Sequence, residues 1–324
     1  MKNIRTDLAL EANEMHRGQK KCDIEGVKVI ERIEEGVKIT TVKVLNEIAE
    51  KTLGKSKGDY ITIDIPEFTV YDGKLMESVS NVFGKFLKDM LKVKNNDLVL
   101  VVGLGNKSVT PDALGPKVVE KLMITRHLRD VMPDVIDDSV VSVSAIAPGV
   151  LGITGIETLE IIKSLVDKIK PQLVICIDAL AARKTQRVNR TIQISDTGIS
   201  PGSGVHNHRK SITYDTLGVK VVSIGVPTVV DASTIANDTI DLLLDKMIEQ
   251  SKKGKEFYNM LKEINDDDRE VLIREILYPQ LGDFLVTPKE IDVMIESLSK
   301  IIANGVNIAL QPNMTVEEIN NFLN

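Results

Sequence analysis

The sequence predicts an α/β fold built on a doubly wound, mostly parallel sheet, with further helices at the C-terminal end. Three observations lead to this prediction: short apolar runs without alternation, amphipathic segments between them, and a helical pattern in the last fifty residues. The 324 residues are 43% hydrophobic and 27% charged, a balance that supports a globular core.

Three apolar runs are predicted to be buried strands: residues 97–103, 173–178 and 219–225. The first is rich in valine and ends on a glycine, and the second follows Pro171. Continuous apolar runs of this length are typical of parallel strands covered on both faces.

The segments between and after these runs are predicted to be helices. Residues 155–170 carry apolar side chains at nearly a 3.6-residue period and stop at Pro171, and residues 232–249 repeat the arrangement. Residues 251–270 are highly charged and are interpreted as an exposed connection with a short helix. Thr287 and Pro288 are expected to begin a C-terminal helix, as cap and first-turn residue.

The overall composition excludes several function classes. The 41 Lys and Arg against 47 Asp and Glu give a charge of -6, so direct nucleic-acid binding is not predicted. The first residues lack the apolar core of a signal peptide, and no run of about 18 apolar residues indicates a membrane span. Cys22 and Cys176 are expected to be reduced thiols. No cofactor and no metal site is predicted, although His206 and His208 lie close together in a glycine-rich loop.

A glycine pair follows the first predicted strand. Gly103 and Gly105 suggest the phosphate-binding turn of a dinucleotide-binding fold. The complete fingerprint requires a third glycine where this chain has Ser108, so nucleotide binding stays only an alternative.

Two aspartates are candidate catalytic residues. Asp178 ends an apolar run, where a charge is unfavourable unless it is paired or lies at an open sheet edge. Parallel strands place their carboxyl ends, and their ligands, at one such edge. Asp112 follows the first strand in Thr110–Asp112. The structural alternatives are that Asp112 caps the helix near Ala113 and that Asp178 pairs with Arg183.

If the two strands are neighbours, Asp112 and Asp178 face one cleft. Two nearby carboxylates resist double ionisation, so one of them keeps its proton. Such a pair can deprotonate a water and protonate a departing amine, which is the chemistry of peptide hydrolysis.

Eight strings spread along the chain form a recognisable set. They are VGLGN (102–106), TPDALGP (110–116), TRHL (125–128), APGVLGITGIET (147–158), IDALAAR (177–183), IQISDTGI (192–199), GVPTVVDA (225–232) and VTPKE (286–290). These strings resemble the germination proteases of spore-forming Firmicutes, and the resemblance extends from Ile4 into the final helices.

The resemblance implies an endopeptidase of the spore core that forms a homotetramer and degrades small acid-soluble spore proteins. It implies a three-layer, phosphorylase/hydrolase-like fold related to hydrogenase-maturation peptidases, and catalytic roles for Asp112 and Asp178. The expected organisation is a propeptide at 1–7, a catalytic domain at 8–250 and a C-terminal part at 251–324. The segment of residues 245–270 is shorter than the family pattern. The resemblance therefore does not imply the family's surface and assembly details for this segment, whereas the chemistry is unaffected.

The N-terminus looks like a substrate of that family. Family substrates resemble Thr-Glu, then Ile or Phe, then Ala-Ser-Glu, and are cut after the first glutamate. Residues 6–11 have the same layout, so self-processing is predicted between Asp7 and Leu8. The alternative is an ordinary helix start capped by Thr6 or Asp7. Because Asp7 is shorter than glutamate, this site is expected to be cut more slowly than a true substrate.

Two other functions remain as alternatives. One is a hydrogenase-maturation-like peptidase that acts on a partner protein, which would be metal-dependent and would not cut at Asp7. The other is a non-enzymatic nucleotide-binding module based on Gly103 and Gly105.

Overall fold

The computed structural model describes residues 6–20, 23–67, 69–131, 140–202, 209–250 and 284–311, with short stretches between 272 and 322. Its strands are β1 Val27–Glu34, β2 Val37–Val44, β3 Gly58–Asp64, β4 Leu98–Gly103, β5 Ser142–Ile146, β6 Leu173–Ala182, β7 Thr191–Ser195, β8 Lys220–Asp231 and β9 Leu285–Val286. Its helices are α1 Ala9–Lys20, α2 Glu47–Leu53, α3 Gly73–Leu91, α4 Leu114–Val119, α5 Arg126–Val131, α6 Leu151–Thr154, α7 Thr158–Ile169, α8 Tyr214–Leu217, α9 Ala232–Gln250 and α10 Ile291–Leu310. Short 3₁₀ turns lie at Thr69–Tyr71, Thr110–Asp112 and Thr185–Arg187.

The described strands form one mixed sheet in the order β1-β2-β3-β7-β8-β6-β4-β5, with β9 beside β8. The β8-β6-β4-β5 half is parallel, and every other pairing is antiparallel. The fold is therefore α/β as predicted, but the expectation of a mostly parallel sheet is wrong. The antiparallel half begins with a hairpin whose turn residues, Glu35 and Gly36, both have positive φ. Such two-residue turns match the twist of paired strands.

Helices cover both faces of the parallel half. On one face α3, α4 and α10 pack with the side chains of Val101, Ile177 and Ile224 in the main core. On the other face α7 packs on Leu100 and Val174. Over the antiparallel half this second face is covered by α1 and α2. On this second face α7 lies to one side of the middle strands, and α1 and α2 lie to the other side.

The three predicted strands are confirmed as β4, β6 and β8, and the two predicted helices as α7 and α9. Both β6 and β8 continue beyond their predicted ends at Asp178 and Gly225. Their ladder is irregular between Leu180 and Ala181, where Pro227 lies opposite Leu180. Proline has no N–H to donate, so its presence in a central strand is compatible with a bulge. Asp178 therefore lies inside a strand rather than at its end.

The C-terminal helix differs from its prediction at the start. Instead of capping a helix, the Thr287 hydroxyl donates to the carbonyl oxygen of Thr228 at 2.8 Å, and α10 begins at Ile291. By length and composition α10 could cross a membrane, which the sequence reading did not anticipate. In this fold most of it is buried in the main core, where Phe83 of α3 packs on Gly305. Its apolar character is accounted for by that packing.

Candidate functional site

A row of three residues crosses the middle strands of the sheet. Gln193 of β7 is opposite Gly225 of β8, which is opposite Asp178 of β6. Residues in register share a face, and two strand spacings separate Gln193 from Asp178 by about 10 Å. Both side chains point to the face that carries α7 and α1, because their strand neighbours Ile177 and Ile194 lie in the core on the other face. The row therefore lies on the sheet face between the strands covered by α7 and those covered by α1.

Asp178 is a buried carboxyl in an apolar strand, with 5% of its surface exposed. Burial raises its pKa well above the usual range, and the charges of Asp112 and Asp7 raise it further. Its described hydrogen bond comes from the Ala179 N–H at 3.0 Å, and this bond lowers the pKa. Burial and the neighbouring negative charges therefore favour the protonated form of Asp178. Arg183 Nη1 lies 3.9 Å from Asp238 Oδ1 in an ion pair.

Asp112 ends the 3₁₀ turn that follows β4, and this turn packs against β6 and β8. Its Oδ2 accepts a hydrogen bond from the Asn106 N–H at 2.7 Å, while burial raises the pKa of the carboxyl. The helix α4 has Ala113 at its cap and no side-chain cap, so the interpretation of Asp112 as a helix cap is wrong. The two aspartates are close enough for the charge of one to act on the other.

The glycine pair after β4 makes room for this turn. Gly105 has φ +110, and a Cβ there would lie 2.0 Å from the carbonyl oxygen of Asp112. A Cβ at Gly103 would lie 2.2 Å from the carbonyl oxygen of Gly115. Both glycines are thus required for the close approach of β4 to the turn and α4, which explains them without a nucleotide.

The N-terminal segment lies against the same face of the sheet. Asp7 Oδ2 accepts from the Ala181 N–H at 3.0 Å, beside the irregularity in β6. Leu8 and Ala9 are 0% exposed. The segment is therefore packed into the molecule immediately before α1 begins at Ala9.

Two side chains contact the carbonyl oxygen of Asp7, which belongs to the Asp7–Leu8 peptide bond. Lys55 Nζ donates to it at 3.0 Å and also to the carbonyl oxygen of Thr6 at 2.8 Å. Gln193 Nε2 donates to it at 3.1 Å, while Gln193 Oε1 accepts from the Ala9 N–H at 2.8 Å. Burial lowers the pKa of Lys55, and the carboxylates of Asp7 and Glu11 act against that shift. The carbonyl oxygen of the Asp7–Leu8 bond thus accepts hydrogen bonds from two side chains.

Glu11 is held by the chain that follows β6. Its side chain is 1% exposed and accepts from the N–H groups of Arg183 at 2.8 Å and Lys184 at 3.0 Å. The Thr6 hydroxyl also donates to it, and Arg187 Nε lies 3.6 Å away. Burial raises the pKa of Glu11, and these donors oppose the rise. Residues 6–11 therefore fill a site that binds one acid at Asp7 and another at Glu11.

Comparison with known proteins identifies the family to which the chain is similar. The family model described as germination protease matches residues 5–256 and 245–323. The germination protease of Clostridium perfringens is 60% identical over 325 residues, covering 100% of both chains. That of Clostridium acetobutylicum is 53% identical over 327 residues, again covering 100% of both, and that of Bacillus cereus is 42% identical over 344 residues, covering 95% of this chain and 94% of its own.

The chain belongs to the germination protease family. It is accordingly an endopeptidase of spore germination, as the sequence predicted. A protein substrate follows from that activity. The alternatives of a hydrogenase-maturation-like peptidase and a nucleotide-binding module are not favoured by these matches.

In this germination protease Asp7, Asp112 and Asp178 lie close enough for the charges of Asp7 and Asp112 to act on Asp178, and the buried Leu8 follows Asp7 in the docked segment. Lys55 and Gln193 were missed. Gln193 is a polar residue between Ile192 and Ile194, which is a weak signal of a functional position. Cys176 is buried and free, and burial raises its pKa above the ordinary thiol value. Cys22, His206, His208 and the loop from 203 lie outside the described residues.

Proposed function

We propose that this germination protease is made as a zymogen and removes its first seven residues by cutting the Asp7–Leu8 bond. The observation that supports this most directly is the position of that bond. Its carbonyl oxygen accepts hydrogen bonds from Lys55 and Gln193, on the sheet face that carries Asp178. A segment that only began a helix would not require these contacts.

The proposed chemistry uses Asp112 and Asp178 as a pair. Asp178 keeps its proton because of burial and neighbouring negative charge. Asp112, whose carboxylate is stabilised by the Asn106 N–H, takes a proton from the attacking water. Asp178 then gives its proton to the departing nitrogen of Leu8, and a proton transfer from Asp112 to Asp178 restores the pair. This division follows from the deeper burial of Asp178 and from the hydrogen bond that the Asn106 N–H donates to Asp112.

The proposed substrates are small acid-soluble spore proteins, whose pattern fits the contacts of residues 6–11. An acid before the cut is bound by the Ala181 N–H, and an acid four residues later by the N–H groups of Arg183 and Lys184. The complete burial of Ala9 explains why the second residue after the cut should be alanine. The self-site and the substrates would thus use one set of contacts.

The remaining expectations on organisation are also part of the proposal. We place a propeptide at 1–7, a catalytic domain at 8–250 and a C-terminal part at 251–324. The fold would be the doubly wound, phosphorylase/hydrolase-like arrangement in three layers, which the helices on both faces of the parallel strands support. The proposed location is the cytoplasm of the forespore and the spore core, and the proposed assembly is a homotetramer.

The experiment follows self-processing of the full chain by mass spectrometry. Asp112→Asn and Asp178→Asn are each expected to slow loss of residues 1–7 by about 10⁴-fold or more, because each variant lacks one of the two proton transfers of the mechanism. Asp167→Asn, at an exposed position of α7, is the matched control and should process normally. A processed enzyme should then cut a purified small acid-soluble spore protein after an acid that precedes an aliphatic residue and alanine. Full activity of folded Asp178→Asn would contradict the mechanism.

A further inference from the structure

The two side-chain donors on the Asp7 carbonyl oxygen suggest a role in the reaction itself. When water adds to a peptide carbonyl, the π electrons move onto its oxygen, which becomes negatively charged. Preorganised donors within hydrogen-bond distance of that oxygen stabilise the charge and account for a large part of peptidase catalysis. Lys55 Nζ and Gln193 Nε2 already lie 3.0 Å and 3.1 Å from it.

We propose that Lys55 and Gln193 form the oxyanion hole of this protease. The inference rests on the proposed function, because it assumes that the Asp7–Leu8 bond is the one that is cut. Asp112 would take the water proton, the hydroxyl oxygen would bond to the carbonyl carbon of Asp7, and the resulting oxyanion would lie between the ammonium and the amide. When the C–N bond breaks, the electron pair returns to the carbonyl and the Leu8 nitrogen takes the proton of Asp178.

The geometry of Gln193 supports a fixed donor. Its side-chain amide spans the bond, since Nε2 donates to the Asp7 carbonyl oxygen and Oε1 accepts from the Ala9 N–H at 2.8 Å. The second bond determines which amide atom faces the oxyanion. Gln193 also lies in a strand paired on both sides, with Thr62 on β3 and Gly225 on β8, so its backbone cannot move independently.

The position of Lys55 supports a role as donor, and the carboxylates of Asp7 and Glu11 favour its charged form against the lowering of its pKa by burial. The residue follows α2, whose end is defined by Gly54 in the left-handed conformation with its N–H on the Glu50 carbonyl oxygen. The ammonium spans two successive carbonyl oxygens, those of Thr6 and Asp7. A cation at this position offsets a negative charge on the Asp7 carbonyl oxygen more strongly than a neutral donor does.

The first test measures the first-order rate of self-processing in the full chain. Because the segment is already bound, this rate reports bond cleavage. Lys55→Met and Gln193→Glu should each lower it by about 10²–10³-fold, the usual effect of losing one oxyanion donor. Lys55→Arg should recover part of the loss. Lys57→Met and Gln186→Met, at exposed positions nearby, are the matched controls and should process at the normal rate.

The second test separates catalysis from docking of the segment. In the Asp112→Asn background, the Ala9 N–H should stay protected from hydrogen exchange when Lys55→Met or Gln193→Glu is added, because its acceptor on residue 193 remains. Slow processing with a docked segment is the expected result. Normal processing by both variants, or loss of Ala9 protection that accounts for their slow rate, would overturn the oxyanion role. No processing by the unmodified chain would instead overturn the proposed function, and the oxyanion role with it.

Discussion

In the proposed mechanism Asp178 takes part in the chemistry, and its burial lowers the stability of the fold at neutral pH. Its carboxyl lies in a strand whose other side chains are almost all buried and apolar, next to two further aspartates. Ionisation is unfavourable there, so the folded protein binds a proton that the unfolded chain releases near the ordinary pKa of 3.8. The group therefore destabilises the fold at neutral pH.

Replacement of this carboxyl should make the protein more stable. The folded pKa is raised, so the contribution of Asp178 is fully favourable below pH 3.8 and is lost as the pH rises through the folded-state value. Asp178→Asn does not titrate and should increase the free energy of unfolding by about 1–3 kcal/mol at pH 7.5, with little gain near pH 4. Urea unfolding at both pH values measures this difference.

The matched control for this prediction is Asp89→Asn, at an exposed position of α3, which should change stability by less than about 0.5 kcal/mol. A less stable Asp178→Asn protein at pH 7.5 would mean that the carboxylate is stabilised by its surroundings.

Sequence reasoning identified the catalytic candidates better than the groups that surround them. Asp178 was visible because a charge interrupts an apolar run, and Asp112 because it follows a neighbouring strand. Lys55 could not be found in this way, since it lies in a polar stretch and donates to a backbone carbonyl 48 positions earlier in the chain. Such contacts depend on how α1 and α2 pack, which local patterns do not determine.

At the level of elements, α1 is the part of the fold that most resembles a bound ligand. Its first turn is inserted between the strands and the chain after β6, with Ala9 completely buried. Farther along the helix, Glu14 pairs with Lys184 at 2.8 Å and Arg187 at 2.6 Å. The helix is thus held both by burial of small apolar side chains and by ion pairs.

A larger side chain at Ala9 should displace this segment. Ala9→Leu adds three carbons where the exposed surface is 0%, and overpacking of this kind costs about 1–3 kcal/mol. Self-processing is expected to slow about tenfold or more, since the bond leaves its donors in most molecules. Arg17→Leu, at an exposed position of the same helix, is the control and should leave the rate unchanged. Mass spectrometry over time measures both; an equal rate for the two variants would contradict the prediction.

The sheet itself could be predicted only in part. The parallel strands were recognised because burial on both faces produces continuous apolar runs. The antiparallel half has mixed sequences, such as the lysines and threonines among the apolar residues of β2, and its hairpin turn of Glu35 and Gly36 lacks the usual asparagine or aspartate. The length of β6 beyond Asp178 was missed because Ala179–Ala182 consists of residues that do not favour strands strongly.

For the whole molecule, the important point is that one chain supplies both the site and the segment bound in it. The described contacts of Asp7 and Glu11 are made with residues of the same chain, among them Lys55, Ala181 and Arg187. An intramolecular segment is present at a high effective concentration, independent of how dilute the protein is.

Self-processing should therefore be independent of protein concentration. Over a hundredfold dilution the first-order rate constant is expected to stay constant, as measured by quenched samples and mass spectrometry. Mixing provides the control: a catalytically inactive Asp112→Asn chain should remain uncut in the presence of excess unmodified protein. A rate that falls in proportion to concentration, or efficient cutting of the inactive chain, would indicate that one molecule processes another.

The docked α1 has a consequence for the timing of activity. The contacts of Glu11 with the N–H groups of Arg183 and Lys184, and that of the Ala9 N–H with Gln193, do not involve residues before the bond, so its cleavage would break none of them. The new amino group of Leu8 would carry a positive charge close to the aspartates, favouring their ionised forms and removing the proton that a leaving amine needs. A freshly cut molecule would then be a complex with its own product. Departure of this 12-residue helix, and not the cut itself, would decide when a spore gains a working protease.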